Sequence, residues 1–185
     1  MATGPSPTLR IRLSLSTPIF RRISSLELQL PTLTVSTTLH SPHPITLDTR
    51  GPLQNGTVLT NASFSFQHFS FYDLTTDQPF TYPAEERECG NPGGTLSAYD
   101  LLTLQPDKEY VTYGVMEDFW VPLGMLEMGH EYKISLEPVD VWWTYRTQKE
   151  LLGGKGYLEV DEGEMARGPL VRVESGDELR LKVEE

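Results

Sequence analysis

Leu126-Glu127-Met128-Gly129-His130-Glu131-Tyr132-Lys133-Ile134-Ser135-Leu136 is the stretch that decides the fold class of this chain. A leucine ends one approach, a glycine makes a tight turn, and a tyrosine starts the next run. From there Tyr132, Ile134 and Leu136 alternate with Lys133 and Ser135. Side chains two apart point the same way on extended backbone, so this is a strand with one buried and one wet face.

The same period recurs on both sides of that stretch. Leu9, Ile11, Leu13 and Leu15 alternate with Arg10, Arg12 and Ser14. Leu26, Leu28 and Leu30 alternate with Glu27 and Gln29, and Leu33, Val35, Thr37 and Leu39 with Thr34, Ser36 and Thr38. Turn formers separate the runs: Pro42 and Pro44, Asn55-Gly56, Asn91-Pro92-Gly93-Gly94, Pro106-Asp107, Gly153-Gly154 and Ser175-Gly176-Asp177. Short half-buried strands punctuated in this way predict an all-β domain, not alternating strands and helices. Within Ser63 to Tyr72 the apolar phase changes between Phe64 and Phe66 and Phe69 and Phe71, which predicts a bulge at Gln67-His68. Leu170 to Glu174 and Glu178 to Val183 read as a C-terminal hairpin over 170–183. Val171, Val173, Leu179, Leu181 and Val183 face inward there, and Arg172, Arg180 and Lys182 face water. Helix is expected only near Thr147 to Leu152, ended by Gly153, with a shorter turn around Leu96 to Leu102.

The Leu126 to Leu136 stretch resembles the tyrosine corner of immunoglobulin-like and fibronectin-like sandwiches, in which the tyrosine hydroxyl bonds back to the backbone of the preceding loop. Burying that hydroxyl unpaired costs about 1–3 kcal/mol, so such a bond is expected of Tyr132. Leu104 to Tyr110 looks like the turn into an earlier strand, and Glu117 to Leu123 like the strand between. Over roughly 33–136 the layout is similar to the intracellular proteinase inhibitor domains of bacteria, to the sandwich propeptide of fungal deuterolysin-like proteases, and to small fungal proteins of similar size. The resemblance implies an antiparallel immunoglobulin/fibronectin-like β-sandwich. The chain is expected to form one domain over 1–185, with a core at roughly 33–145 and additional strands at both ends. No catalytic residue is carried over.

Composition narrows the function classes. With 26 acidic and 15 basic side chains, the net charge is −11. That field repels phosphate backbones and anionic membranes, so neither nucleic acid nor membrane is an expected partner. Arg10, Arg12, Arg21 and Arg22 form the one basic stretch, and strand edges account for it. Cys89 is the only cysteine, which rules out an intrachain disulfide and suits a cytoplasmic setting. Glu85, Glu86 and Glu88 beside it disfavour a reactive thiolate. The Asn55 and Asn61 sequons read as turn residues, and no run is apolar for long enough to span a membrane.

Few residues suggest chemistry. His40 and His43 lie in a loop marked by Pro42 and Pro44 with no further ligands nearby, so no metal or other cofactor is expected. Asp73, Asp77, Glu85, Glu86, Glu88 and Asp100 lack the spacing of a calcium loop and read as solvated acids. Neither a nucleophile elbow nor a phosphate loop is present, and no catalytic residue is assigned.

The aromatic group Trp120, Trp142, Trp143 and Tyr145 is the strongest functional candidate, with His40 and His43 beside it. On a strand, Val141, Trp143 and Tyr145 share one face while Trp142 takes the other. Unless the 153–168 segment covers it, Trp142 forms a sticky surface. The leading expectation is a non-catalytic module that binds another protein through loops or the Trp142 face. The alternatives are a carbohydrate or small-molecule binder, or an enzyme, with a cleft lined by Trp120, Trp142 and Trp143, and a proteinase inhibitor.

Overall fold

The computed structural model describes residues 6–21, 30–50, 59, 69–80, 94–115, 125–153, 155–160 and 169–184. Several sequence expectations lie outside these residues: the alternation at Leu26 and Leu28, the bulge at Gln67-His68, the Glu117 to Leu123 strand, Cys89, both sequons, Arg22 and Trp120.

The chain is all-β, and its strands form sandwich-like layers. In order they are β1 (Thr8–Leu15), β2 (Ile19–Arg21), β3 (Thr32–His40), β4 (Ile45–Asp48), β5 (Phe69–Asp73), β6 (Gln78–Pro79), β7 (Gly94–Ser97), β8 (Leu101–Leu104), β9 (Glu109–Val115), β10 (Glu131–Leu136), β11 (Val139–Thr144), β12 (Tyr157–Val160), β13 (Leu170–Val173) and β14 (Glu178–Glu184). The described strands form sheets ordered β1-β3-β9, β2-β14-β10-β5-β6, β13-β11-β4-β8 and β12-β7. The first three supply one buried core that includes Ile11, Val35, Leu47, Phe71, Tyr132, Val141, Trp143, Val173 and Leu181. Leu96, Leu101, Leu151 and Leu152 form a second, smaller cluster.

Register sorts the side chains as alternation predicts. In the β1-β3-β9 sheet, Leu13 lies opposite Val35, and Val35 opposite Thr112; their neighbours Arg12, Ser36 and Val111 are likewise aligned on the other face. Ile11, Leu13, Leu33, Val35 and Leu39 are buried on the inner face. Thr37 is buried in the same phase, and its Oγ1 has no hydrogen-bond partner among the described residues.

Helical structure forms where expected and is set by local capping. α1 (Gln148–Leu152) opens with a capping box: Thr147 Oγ1 accepts from the Glu150 N–H, and the Glu150 carboxylate accepts from the Thr147 N–H. Gly153 closes it at φ 57°, ψ −145°, a conformation that β-carbon-bearing residues avoid. A 3-10 turn at Ala98–Asp100 carries the same device between Ser97 and Asp100.

Two features of the pairing depart from expectation. Leu170–Val173 and Glu178–Glu184 are strands, and Val171, Val173, Leu179, Leu181 and Val183 do face inward, but the two strands are not a hairpin. β13 pairs with β11, and β14 pairs with β10 and β2 in another sheet. The link at 174–177 therefore crosses between layers, passing the edge of β1. There the Leu13 N–H donates to Asp177 Oδ2 at 2.9 Å and Ser175 Oγ donates to the Ile11 carbonyl at 3.2 Å. Alternation alone cannot distinguish a hairpin from a crossover, because both turn the same residues toward the core. The second departure is that the β2–β14 pair is parallel, aligning Ile19 with Lys182 and Phe20 with Val183, in an otherwise antiparallel set of ladders. The C-terminal strand is thus inside its sheet, not at an edge: β14 lies between β2 and β10, and Phe20, Leu181 and Val183 are buried.

Candidate functional site

The turn before β10 does what the tyrosine corner implies. Tyr132 is 1% exposed, and its Oη accepts the Glu127 N–H at 2.8 Å. Gly129 takes φ 81° to make the turn, donates to the Val183 carbonyl at 2.9 Å, and so stitches the turn to β14. Burial pushes the Tyr132 phenol above its usual range, helped by the charges of Asp73 and Glu127 and opposed by the Glu127 N–H, so it stays neutral.

A polar network that the sequence does not announce adjoins this corner. Asp73, opposite Tyr132 in the β5–β10 ladder, is 7% exposed. Its Oδ1 accepts the N–H groups of Thr75 and Thr76 at 2.8 and 3.2 Å, and its Oδ2 lies 2.7 Å from His130 Nδ1. Burial alone raises the Asp73 carboxyl, but the bonds from His130, Thr75 and Thr76 outweigh it and hold the group below its ordinary value. An ionised carboxylate only accepts, so the shared proton sits on His130 Nδ1. The His130 ring stacks at 28° on Tyr132, and its Nε2 lies 3.3 Å from Glu127 Oε2. The sequence reads Asp73 as one of several solvated loop acids, whereas it is a buried strut. The only local hint is its place in phase with Phe69 and Phe71.

The aromatic candidates divide between the two faces of β11. Trp143, 5% exposed, lies in the main core and meets Tyr145 edge-on at 4.8 Å; its Nε1 has no hydrogen-bond partner among the described residues. Half-buried Tyr145 in turn meets His43 edge-on at 5.8 Å. Trp142 lies on the opposite side, half-buried against the second cluster with Leu158. The two indoles therefore do not share a cleft. His40 is apart from this group, its Nδ1 3.3 Å from Asp107. The cover over Trp142 comes from α1 and from Leu158 in the 153–168 segment.

Exposed apolar side chains lie on the elements that form or adjoin that cover. Leu170, 52% exposed, is the direct ladder partner of Trp142. Tyr157 lies on β12 with its neighbour Leu158 turned to the cluster, and Tyr99 lies within the adjoining 3-10 turn at 94% exposure.

A separate groove of about 570 Å³ crosses the outward face of the β1-β3-β9 sheet. Its floor is two ladder rows, Arg12–Ser36–Val111 and Ser14–Thr34–Tyr113. Glu109, Asp177 and Glu178 line its rim.

Among the described residues, no group of three or more His, Cys, Asp or Glu is placed to hold a metal ion. No described helix is long and apolar enough to cross a membrane. No protein-family model matches the chain, and no curated protein matches it in sequence.

Proposed function

We propose that the chain is a non-catalytic module that binds a protein through the Trp142 side of the β13-β11-β4-β8 sheet. The observation that carries this reading is the exposure of Leu170, the ladder partner of half-buried Trp142, and of Tyr99 and Tyr157 on adjoining elements. Tyrosine and tryptophan are the residue types enriched in interface centres, because each offers a large rigid surface with a polar tip. A tyrosine left 94% exposed on a capped turn contributes nothing to the core. The net charge of −11 makes a basic partner surface with an apolar centre the complementary one. The corner at Tyr132 supports an immunoglobulin-like ancestry for the scaffold, which suits a binding role.

The experiment is retention of partners from native lysate by the intact chain and by a Tyr99→Ala/Leu170→Ala variant with unchanged circular dichroism. A salt-sensitive protein held by the parent and lost by the variant is the expected result. Equal retention by both chains, or binding indifferent to salt, overturns the reading.

A further inference from the structure

We infer that the groove on the outward face of the β1-β3-β9 sheet is a second binding site, and that it takes a neutral saccharide. This goes beyond the protein contact at Trp142, which involves different strands.

Size comes first. A space of about 570 Å³ suits a mono- or disaccharide. The lining then sets the ligand's chemistry. Arg12, Ser14, Thr34 and Ser36 set polar groups beside Val111 and Tyr113 on the floor, which favours a ligand that carries both hydroxyls and an apolar face over a wholly apolar one. Formal charge in the groove is −2, from Glu109, Asp177 and Glu178 against Arg12, in a chain that is itself −11. Anionic ligands are repelled by that balance.

Cations are not demanded either, because each carboxylate already holds a donor from the protein. Glu109 accepts from Ser36 Oγ, Asp177 from the Leu13 N–H at 2.9 Å, and Glu178 from Lys133 Nζ at 3.2 Å. The carboxylates keep lone pairs for ligand hydroxyls, since an ionised carboxylate accepts several hydrogen bonds. Arg12, by contrast, has no partner among the described residues and is exposed, so its guanidinium is available to ring and hydroxyl oxygens. Tyr113, 59% exposed in the row with Thr34 and Ser14, gives a flat apolar face on which the C–H side of a pyranose can stack. Donor, acceptors and aromatic platform gathered on a sheet face and its rim are what a neutral sugar ring requires.

The test is a titration of the isotope-labelled full chain with methyl glucoside, methyl mannoside, methyl galactoside, cellobiose and maltose, followed by amide chemical shifts. Glucuronate and an arginine-rich peptide serve as charged controls. At least one neutral saccharide is expected to move signals of β1, β3 and β9 saturably at millimolar concentration. Tyr113→Ala is expected to weaken that binding by about tenfold, while Tyr113→Phe retains it. Arg12→Ala weakens it similarly, and Leu170→Ala leaves it unchanged. Tyr113 and Arg12 are exposed, so preserved signal dispersion in the variants confirms that loss of binding is local. Silence from all five neutral saccharides overturns the inference. So does saturable binding confined to glucuronate or to the peptide, or shifts that map to the Trp142 face. Silence from the neutral saccharides leaves the protein contact standing, because the Tyr99→Ala/Leu170→Ala variant tests that contact separately.

Discussion

Three single residues show how unevenly side-chain roles can be read from the sequence. Tyr132 is legible, because the glycine turn and the alternation after it require a buried ring with a hydroxyl to satisfy. Tyr132→Phe removes the acceptor of the Glu127 N–H and keeps the ring. It is expected to cost about 1 kcal/mol in denaturant unfolding, and an unchanged midpoint would show that the corner bond contributes nothing. Asp73 is illegible, because its burial comes from partners that only the fold brings to it, Tyr132 across the ladder and His130 at the turn. Its folded-state carboxyl is lowered from an ordinary value of 3.8. Its contribution is therefore fully present above that value and is lost as pH falls through the lowered one. Asp73→Asn is expected to be less stable than the parent at neutral pH, and the two curves should converge in acid. A gap that stays constant with pH would mean that the Asp73 charge is irrelevant. Thr37 is legible by phase, matching Leu33, Val35 and Leu39, but nothing in the sequence says that its Oγ1 lacks a partner. Thr37→Val replaces that hydroxyl with a methyl of similar volume, so a gain of about 1 kcal/mol is expected in thermal or denaturant unfolding. A loss would mean that the hydroxyl is satisfied.

Local signals serve better for individual elements than for their pairing. Thr147 to Glu150 and Ser97 to Asp100 are capping boxes that can be read from spacing alone, and both helical turns form there. The hairpin expected at 170–183 fails for the opposite reason, since its register depends on two different sheets competing for its strands. What the sequence reads as a turn, Ser175-Gly176-Asp177, is a plug on the exposed edge of β1. Sheet edges with open N–H and C=O groups invite pairing with another chain, and side-chain occupation of those groups prevents it. Removing both side chains in Ser175→Ala/Asp177→Ala leaves the Leu13 N–H and the Ile11 carbonyl without these partners. The expected outcome is concentration-dependent association in sedimentation velocity, together with about 1–2 kcal/mol of lost stability. If sedimentation and stability both match the parent, the crossover is only a connection.

On the scale of the whole molecule, the chain ends are the part least visible in the sequence. Period-2 alternation identifies β1 and β14 as strands, but it does not show that Phe20 aligns with Val183 in a parallel pair, because no local signal spans that separation. Read alone, the ends look like additions to a core at roughly 33–145. In the fold, β14 has neighbours on both sides, and its turn-facing end is bonded through Val183 to Gly129 and His130. Loss of β14 therefore opens the sheet in its interior, uncovers Phe20, and frees the corner turn from the bonds that hold it. Leu181 is 0% exposed in the same cluster as Tyr132 and Trp143. Leu181→Ala is expected to cost about 2–5 kcal/mol, the range for emptying a buried leucine site. Leu170→Ala, whose side chain is 52% exposed, serves as the control and should stay within about 0.5 kcal/mol of the parent. Denaturant unfolding followed by tryptophan fluorescence and far-ultraviolet circular dichroism distinguishes the cases. If β14 is integral, both signals shift together in Leu181→Ala, because the strand and the main core unfold as one unit. If β14 is an appendage, the Leu181→Ala midpoint will stay near that of Leu170→Ala while the strand alone frays.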